Sequence, residues 1–286
     1  MRKGLQKLGL RLLALVALSL FGGLLGATLV RFAPGYGVDE RELDPRLSQA
    51  SIAAIREANR LNSGLLAYYG RYLADAAHGD FGTSQWLQRP VSSLLRERFP
   101  VTARSVLLGI AAAWTLALAV SLASLLFWRS FFDVSGTMIS GLLIALPAAV
   151  VAMFAVYLRA PTFVAIAVVT FPKLFRYLRN LLAHAYAQPY IVAARARGVA
   201  SSRILLRHVL PLASPALLAL LGISLSMAFG AAIPIEALCD SPGIGQLAWQ
   251  AALNRDLPLI VNLTLLITLF TVAVNFLANV ANEKAA

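Results

Sequence analysis

Long apolar runs separated by short polar links account for most of this chain. The runs lie near Leu8 to Val30, Val106 to Trp128, Val134 to Leu158, Pro161 to Leu182, Leu212 to Leu238 and Leu257 to Val280. Each meets or approaches the roughly 20 residues that an α-helix needs to cross about 30 Å of hydrocarbon. The pattern predicts an all-α polytopic membrane protein with six transmembrane helices. The fourth run is mixed: it is uncharged only from Pro161 to Pro172, after which Lys173, Arg176 and Arg179 follow at three-residue spacing on one face. We read these cations as the place where the helix emerges into the headgroups, with long stems snorkelling outward. Headgroup anchoring is favoured there over contact with a substrate.

Between Arg31 and Pro100 the pattern changes. Acids and bases nearly balance, and Pro34, Gly35, Gly37, Pro45, Gly64, Gly70, Gly79 and Gly82 interrupt the chain. This is the composition of a soluble extracytoplasmic insert between helices 1 and 2. Within it Ile52, Ile55, Leu65, Leu66, Tyr69, Tyr72 and Leu73 recur at helical spacing, which predicts short helices lying against the membrane-facing end of the protein. At about 70 residues the insert is marginal as an independent domain. The expected division is a first transmembrane helix with a cytoplasmic amino terminus over 1–31, the insert over 32–100, and a five-helix core over 101–286 with a cytoplasmic loop at about 186–210.

Composition supports the membrane assignment: 59% of the 286 residues are hydrophobic and 13% charged, with a mean hydropathy of +0.74. A water-soluble globule is excluded. The net charge of +12 does not indicate nucleic acid, because the cations sit in membrane-flanking segments and no acid occurs between Val134 and Ile235. Anionic lipid headgroups and a cytoplasmic partner suit them better, and topogenesis alone explains the bias equally well. Lysine and arginine accumulate on the cytoplasmic side of short loops. Arg2, Lys3, Lys7, Arg11, Arg129 and the group Lys173, Arg176, Arg179, Arg195, Arg197, Arg203 and Arg207 fall together if six helices are threaded. Both termini, including Glu283 and Lys284, are then cytoplasmic. The basic start and apolar core resemble a signal peptide, but the core is long for one, which favours an uncleaved helix. Cys239 is the single cysteine, so no intramolecular disulfide forms. Gly22 and Gly26 form a GxxxG pair that permits close helix approach without identifying a partner.

The search for catalytic chemistry is mostly negative. None of the four lysines follows a glycine as in a phosphate-binding loop, no HExxH unites the three histidines, and no GxSxG offers a nucleophile. His78, His184 and His208 lie far apart in or near aqueous segments, where solvation is the simpler reading. The chain is not expected to be an enzyme or to hold a metal.

The segment from Pro189 to Pro211 carries many cations and no acid between two apolar runs. Tyr190 to Arg197 reads as one short helix and Ser201 to Leu210 as a second, joined by a turn at Gly198. Small Ala193, Ala194 and Ala196 let a helix approach a partner closely, Arg195 and Arg197 suit acids on a partner's rim, and Gly198 accepts backbone angles that other residues resist. Ser201 or Ser202 is placed to cap the second helix, and Pro211 introduces the next span.

Together these features resemble the inner-membrane permeases of the dipeptide, oligopeptide and nickel class of ABC importers, over nearly the whole chain. Arg31-Phe32-Ala33-Pro34-Gly35 is similar to that family's start of the periplasmic insert, and Gly79-Asp80-Phe81-Gly82-Thr83-Ser84 to its G-D-[LF]-G-x-S stretch. Arg89-Pro90-Val91 and Leu95-Arg96-Glu97-Arg98-Phe99-Pro100 lead into the second helix as the family does. Glu236, then Pro242-Gly243-Ile244-Gly245-Gln246-Leu247, then Asn254-Arg255-Asp256 with Pro258 resemble its E-x-x-F-x-x-P-G-x-G-x-L and N-R-D-x-P signature. The order and spacing of the pieces carry the resemblance. The chain departs from the pattern at Val192, where the broader importer consensus has glutamate, at Cys239, where an aromatic is usual, and in the short link Arg159-Ala160-Pro161.

The resemblance implies a permease subunit, forming half of the translocation path, that couples to a cytoplasmic ATPase through a loop containing Tyr190, Ala193, Ala194, Arg195, Arg197, Gly198, Arg203 and Pro211. It also implies a second homologous permease subunit and an extracytoplasmic substrate-binding protein, all in the inner membrane system of a bacterium. No cofactor is expected on this chain, ATP and Mg being held by the partner ATPases. A peptide, nickel or a similar small solute would be the substrate, moved by alternating access. Pro147, Pro172, Pro215 and Pro234 are expected to interrupt spanning helices. Two other classes stay open at this point: a secondary transporter and a non-transporting membrane scaffold.

Overall fold

A backbone in hydrocarbon must satisfy its own N–H and C=O groups, and apolar runs of this length do so as helices. The computed structural model describes residues 17, 18, 20–25, 28, 48, 65–126 and 129–285. Among them the regular elements are helical. They are α1 (Leu65–Ala77), α2 (Val91–Leu126), α3 (Arg129–Ala145), α4 (Ala148–Tyr157), α5 (Thr162–Tyr186), α6 (Pro189–Ala196), α7 (Ser201–Ile204), α8 (Leu210–Leu238), α9 (Ile244–Leu253) and α10 (Leu257–Ala285). Residues 17, 18, 20–25 and 28 of the first run are helical too. The motif at Arg31 to Gly35, Ile52 and Ile55 lie outside the described residues.

Among the described residues three helices are long and apolar enough to cross a membrane: Val91–Leu125, Ser201–Leu238 and Leu257–Ala278. A fourth crossing is added if α3 and α4 count as one broken span. The sequence predicts a single helix there, from Val134 to Leu158. Instead the chain bends by 98° between Ala145 and Ala148. Pro147 is the cause: it has no N–H to continue the ladder, sits at φ −59° and ψ 144°, and disfavours helical angles in the residue before it. The other three prolines do not break their helices. Pro172 lies inside α5, and Pro215 and Pro234 lie inside α8. Helix α2 also starts earlier than hydropathy suggests, at Val91, because Pro90 supplies a preset φ at the helix start and the polar first turns are helical without being apolar.

The chain divides into two compact units. The first comprises Met1–Glu97 and Leu247–Phe270. Its core joins Tyr69 and Tyr72 of α1 to Leu257 and Val261 of α10, with Leu24, Leu73, Ala76 and Leu265 packed around them. The two tyrosine rings stack at 6.2 Å. Tyr69 donates its hydroxyl to the Leu20 carbonyl at 2.6 Å, and burial pushes its phenol up from the ordinary value, so it stays a neutral donor. Gly22 and Gly23 abut α10 closely: a Cβ at Gly22 would stand 2.9 Å from Thr268 Oγ1, and one at Gly23 would stand 2.5 Å from Leu265 Cδ2. Gly26 is outside the described residues.

The second unit comprises Arg98–Gln246 and Thr271–Ala286. Helix α5 packs on α8, α3 and α4, and α4 packs on α8. Phe171, Leu174, Phe175 and Leu178 of α5 form one buried cluster with Ala113 and Ala117 of α2 and Leu220 of α8. Nearby, the Trp114 indole N–H donates to Ser224 Oγ at 3.0 Å, linking α2 to α8. A second cluster gathers Leu182, Ala185, Ile191, Ile204, Leu205 and Val209, with Leu122 and Leu125 of α2 against it.

Candidate functional site

The loop between α5 and α8, in the second unit, is built around one anchor and one turn. Pro189 opens α6 at its first turn, and Ile191 is fully buried in the cluster with Leu182 and Val209. The helix then ends at Gly198, whose φ of +75° is a left-handed angle that a Cβ would make costly. The turn is closed by hydrogen bonds from Gly198 N–H to Arg195 O at 3.0 Å and from Val199 N–H to Ala194 O at 3.2 Å, which satisfy the last carbonyls of α6.

The second helix of the loop differs from the sequence expectation in two ways. Its N-cap is Ala200, with no side-chain cap bond, so neither Ser201 nor Ser202 caps it. Nor is it a separate element: α7 runs through a widened π turn at Leu205–Val209 straight into α8. Pro211 gives the physical reason. It donates no backbone bond and its ring crowds the carbonyl four residues before it, at Arg207, and a π turn accommodates both.

Tyr190, Val192, Arg195, Arg197, Gly198 and Arg203 are exposed. Ala193 is half-buried, and Ala194 packs inward against the Ile191 cluster. The Arg195 guanidinium lies 5.8 Å from the centre of the Tyr186 ring. That cation–π contact fixes its stem to the end of α5 while its charge stays exposed. The surface offered here is therefore Tyr190 and Val192 beside two arginines, with alanines supporting it from behind.

The carboxyl-terminal signature residues fall into two groups, one in each unit. In the second unit Glu236, on α8, is fully buried. Its Oε2 accepts the Thr102 hydroxyl at 3.0 Å and the Gly245 N–H at 2.8 Å, while Thr102 Oγ1 accepts the Ile244 N–H at 2.8 Å. A Cβ at Gly243 would lie 2.2 Å from Glu236 Oε2, and one at Gly245 would lie 2.6 Å from Ile233 Cα. The spacing Pro242-Gly243-x-Gly245 thus brings backbone against a buried carboxylate where no larger residue fits. Pro242 itself is exposed. Beside it, Gln246 donates to Asp240 and accepts from Arg98 at 3.1 Å.

In the first unit Asp256 is fully buried and precedes α10. Its Oδ2 accepts the Ser84 hydroxyl and the Trp86 N–H at 3.1 Å; its Oδ1 accepts the Leu259 N–H at 3.2 Å as an N-cap. Asn254 is exposed and bonds the Gln250 carbonyl at 2.8 Å. Arg255 is exposed at φ +53°, which turns the chain into the cap. One turn into α10, Asn262 accepts the Tyr72 hydroxyl at 2.7 Å and donates to Phe81 O at 2.9 Å. Thr102 and Asn262 have no role in the sequence reading, and Ser84 and Tyr72 enter it only within the Gly79 to Ser84 stretch and the helical spacing of the insert. For Asp256 a signal was present, an acid two residues before a proline at the head of an apolar run. For the others nothing local marks the partner.

The model of the family described as "binding-protein-dependent transport system inner membrane component" matches residues 105–284. The chain belongs to this family. It is 31% identical over 269 residues to the oligopeptide transport system permease protein OppB of Escherichia coli (strain K12), covering 84% of each chain. It is 30% identical over the same length and coverage to OppB of Salmonella typhimurium. Its fold is similar to that of an inward-facing structure of the MetNI methionine ABC transporter, with a TM-score of 0.56 at 18% identity, over 68% of this chain and 94% of that one. The protein is accordingly a multi-pass inner-membrane permease component of an ABC importer. Family membership sets aside the secondary-transporter and scaffold readings.

Proposed function

We propose that this permease imports peptides, forming half of a translocation path with a second homologous permease subunit. The names of its OppB relatives support peptide cargo and give less support to nickel. A binding protein outside the membrane delivers the solute, and ATP with Mg is used by cytoplasmic ATPase subunits, this chain holding no cofactor. Six crossings serve this role: the amino-terminal run, α2, the bent pair α3 and α4, α5, α8 and α10, with both termini cytoplasmic.

The observation that carries the coupling role is the α6 elbow. An apolar anchor at Ile191 holds it to the body of the second unit, a positive φ at Gly198 reverses it, and Tyr190, Val192, Arg195 and Arg197 are presented outward. Because α7 is continuous with α8, a push on the elbow is transmitted along one continuous helix toward Glu236. ATP-driven closure of the ATPases moves this helix, and the path opens alternately to either side. Co-purification from the native membrane under mild detergent tests the reading: a second permease and ATPase subunits are recovered with the wild-type chain and lost with Gly198→Pro. Recovery of the chain alone, in preparations that preserve other complexes, overturns it.

A further inference from the structure

We infer that the face of α5 bearing Lys173 and Arg176 lines the translocation path and takes the carboxylate of a peptide in transit, an inference that rests on the peptide-import reading above. Depth is the first observation. Phe171, Leu174, Phe175 and Leu178 alternate with these cations along α5 and pack with Ala113, Ala117 and Leu220. Along α5 itself Lys173 stands eleven residues after Thr162, the first residue of the helix, and Arg176 ten before Tyr186, the last. At 1.5 Å per residue that is about 15 Å or more from either end. The proposal therefore puts the cations near the middle of α5, where the sequence reading expects headgroup anchoring.

Exposure is the second. Lys173, Arg176, Tyr177 and Asn180 are all exposed on one face of α5, continuing to His184. A lysine or arginine facing lipid at this depth is costly, and such residues instead face water-filled cavities or protein. The third is charge. The sequence holds no acid from Val134 to Ile235, and no described acid pairs with either cation. Arg176 is nonetheless held in place: its Nε donates to the buried Ser140 Oγ of α3 at 3.2 Å, and its outer guanidinium edge stays open. A fixed arginine next to a flexible lysine suits a carboxylate. The carboxyl terminus is the one negative group common to peptides of any sequence.

The test uses the complete transporter in proteoliposomes, with binding protein saturated beforehand by trialanine or by trialanine amide. The wild type is expected to move the free acid about tenfold faster than the amide, the size of a single charge-assisted hydrogen bond. In the double variant Lys173→Gln, Arg176→Gln the ratio is expected to fall to within about twofold, through a larger loss for the free acid than for the amide, and Lys173→Arg is expected to restore the preference. An unchanged ratio, or equal loss of both peptides, overturns the inference. A second measurement places Lys173→Cys in a Cys239→Ser background. An anionic thiol reagent is expected to modify it in the folded complex and to be slowed by trialanine during turnover. Inaccessibility of that cysteine assigns the face to lipid or to an acid of the second permease, and also overturns the inference. Wild-type complex that shows no ATP-driven uptake of trialanine removes the peptide-import reading itself, which is a distinct result.

Discussion

Ser84 donates its hydroxyl to Asp256 across 172 residues of chain, and the same carboxylate caps α10 through Leu259. Two short stretches that are individually unremarkable, Gly79 to Ser84 and Asn254 to Pro258, are thus one structural device. A buried carboxylate is held by its three donors, and the loss of each carries a cost. Asp256→Ala strands the Ser84, Trp86 and Leu259 donors and is expected to destabilise the protein by about 3 kcal/mol, against about 1 kcal/mol for Ser84→Ala. The double variant should cost less than the sum. Detergent-solubilised thermal unfolding of the four proteins measures this, and strict additivity would show that the pair does not act as a unit.

Gly243 predicts a sharper steric result. Its absent Cβ would overlap Glu236 Oε2 at 2.2 Å, so Gly243→Ala must displace either the carboxylate or the turn. We expect a loss of about 2 kcal/mol, whereas Glu236→Gln, which keeps an acceptor of the same shape for Thr102 and Gly245, costs less. Melting curves decide it, and an unperturbed Gly243→Ala would mean that the turn is not held against Glu236.

At Gly198 the argument is conformational. Proline fixes φ near −65°, which the turn at +75° cannot accept. Gly198→Pro is expected to abolish peptide uptake and substrate-stimulated ATP hydrolysis while membrane insertion persists. Gly198→Ala, a left-handed strain of about 1–2 kcal/mol, should reduce both partially. Uptake at wild-type rate in Gly198→Pro would remove the elbow from the coupling path.

The sequence shows what depends on length and local order. Apolar runs, the α6 elbow and its turn at Gly198 are all visible without coordinates, because a helix in hydrocarbon and a positive φ are local requirements. What four prolines do is not local. Pro147 ends α3, while Pro172, Pro215 and Pro234 are carried inside packed helices. Long-range pairs are hidden for the same reason: nothing near Glu236 names Thr102, which is 134 residues upstream.

Trp114 and Ser224 offer a test of how much such a long-range pair contributes inside the span. The indole N–H has a single acceptor, Ser224 Oγ at 3.0 Å, and Ser224 passes its own proton to the Leu221 carbonyl at 2.8 Å. Ser224→Ala leaves the indole donor without its partner among mostly apolar neighbours. Trp114→Phe removes the donor and most of the need for an acceptor, at the expense of some packing against the Ala113 cluster. Hydrogen bonds between spanning helices average about 0.6 kcal/mol, so the coupling between the two substitutions should be near that value. Thermal unfolding of both single variants and the double variant gives the coupling directly, and a value near zero would assign the α2–α8 contact to packing alone.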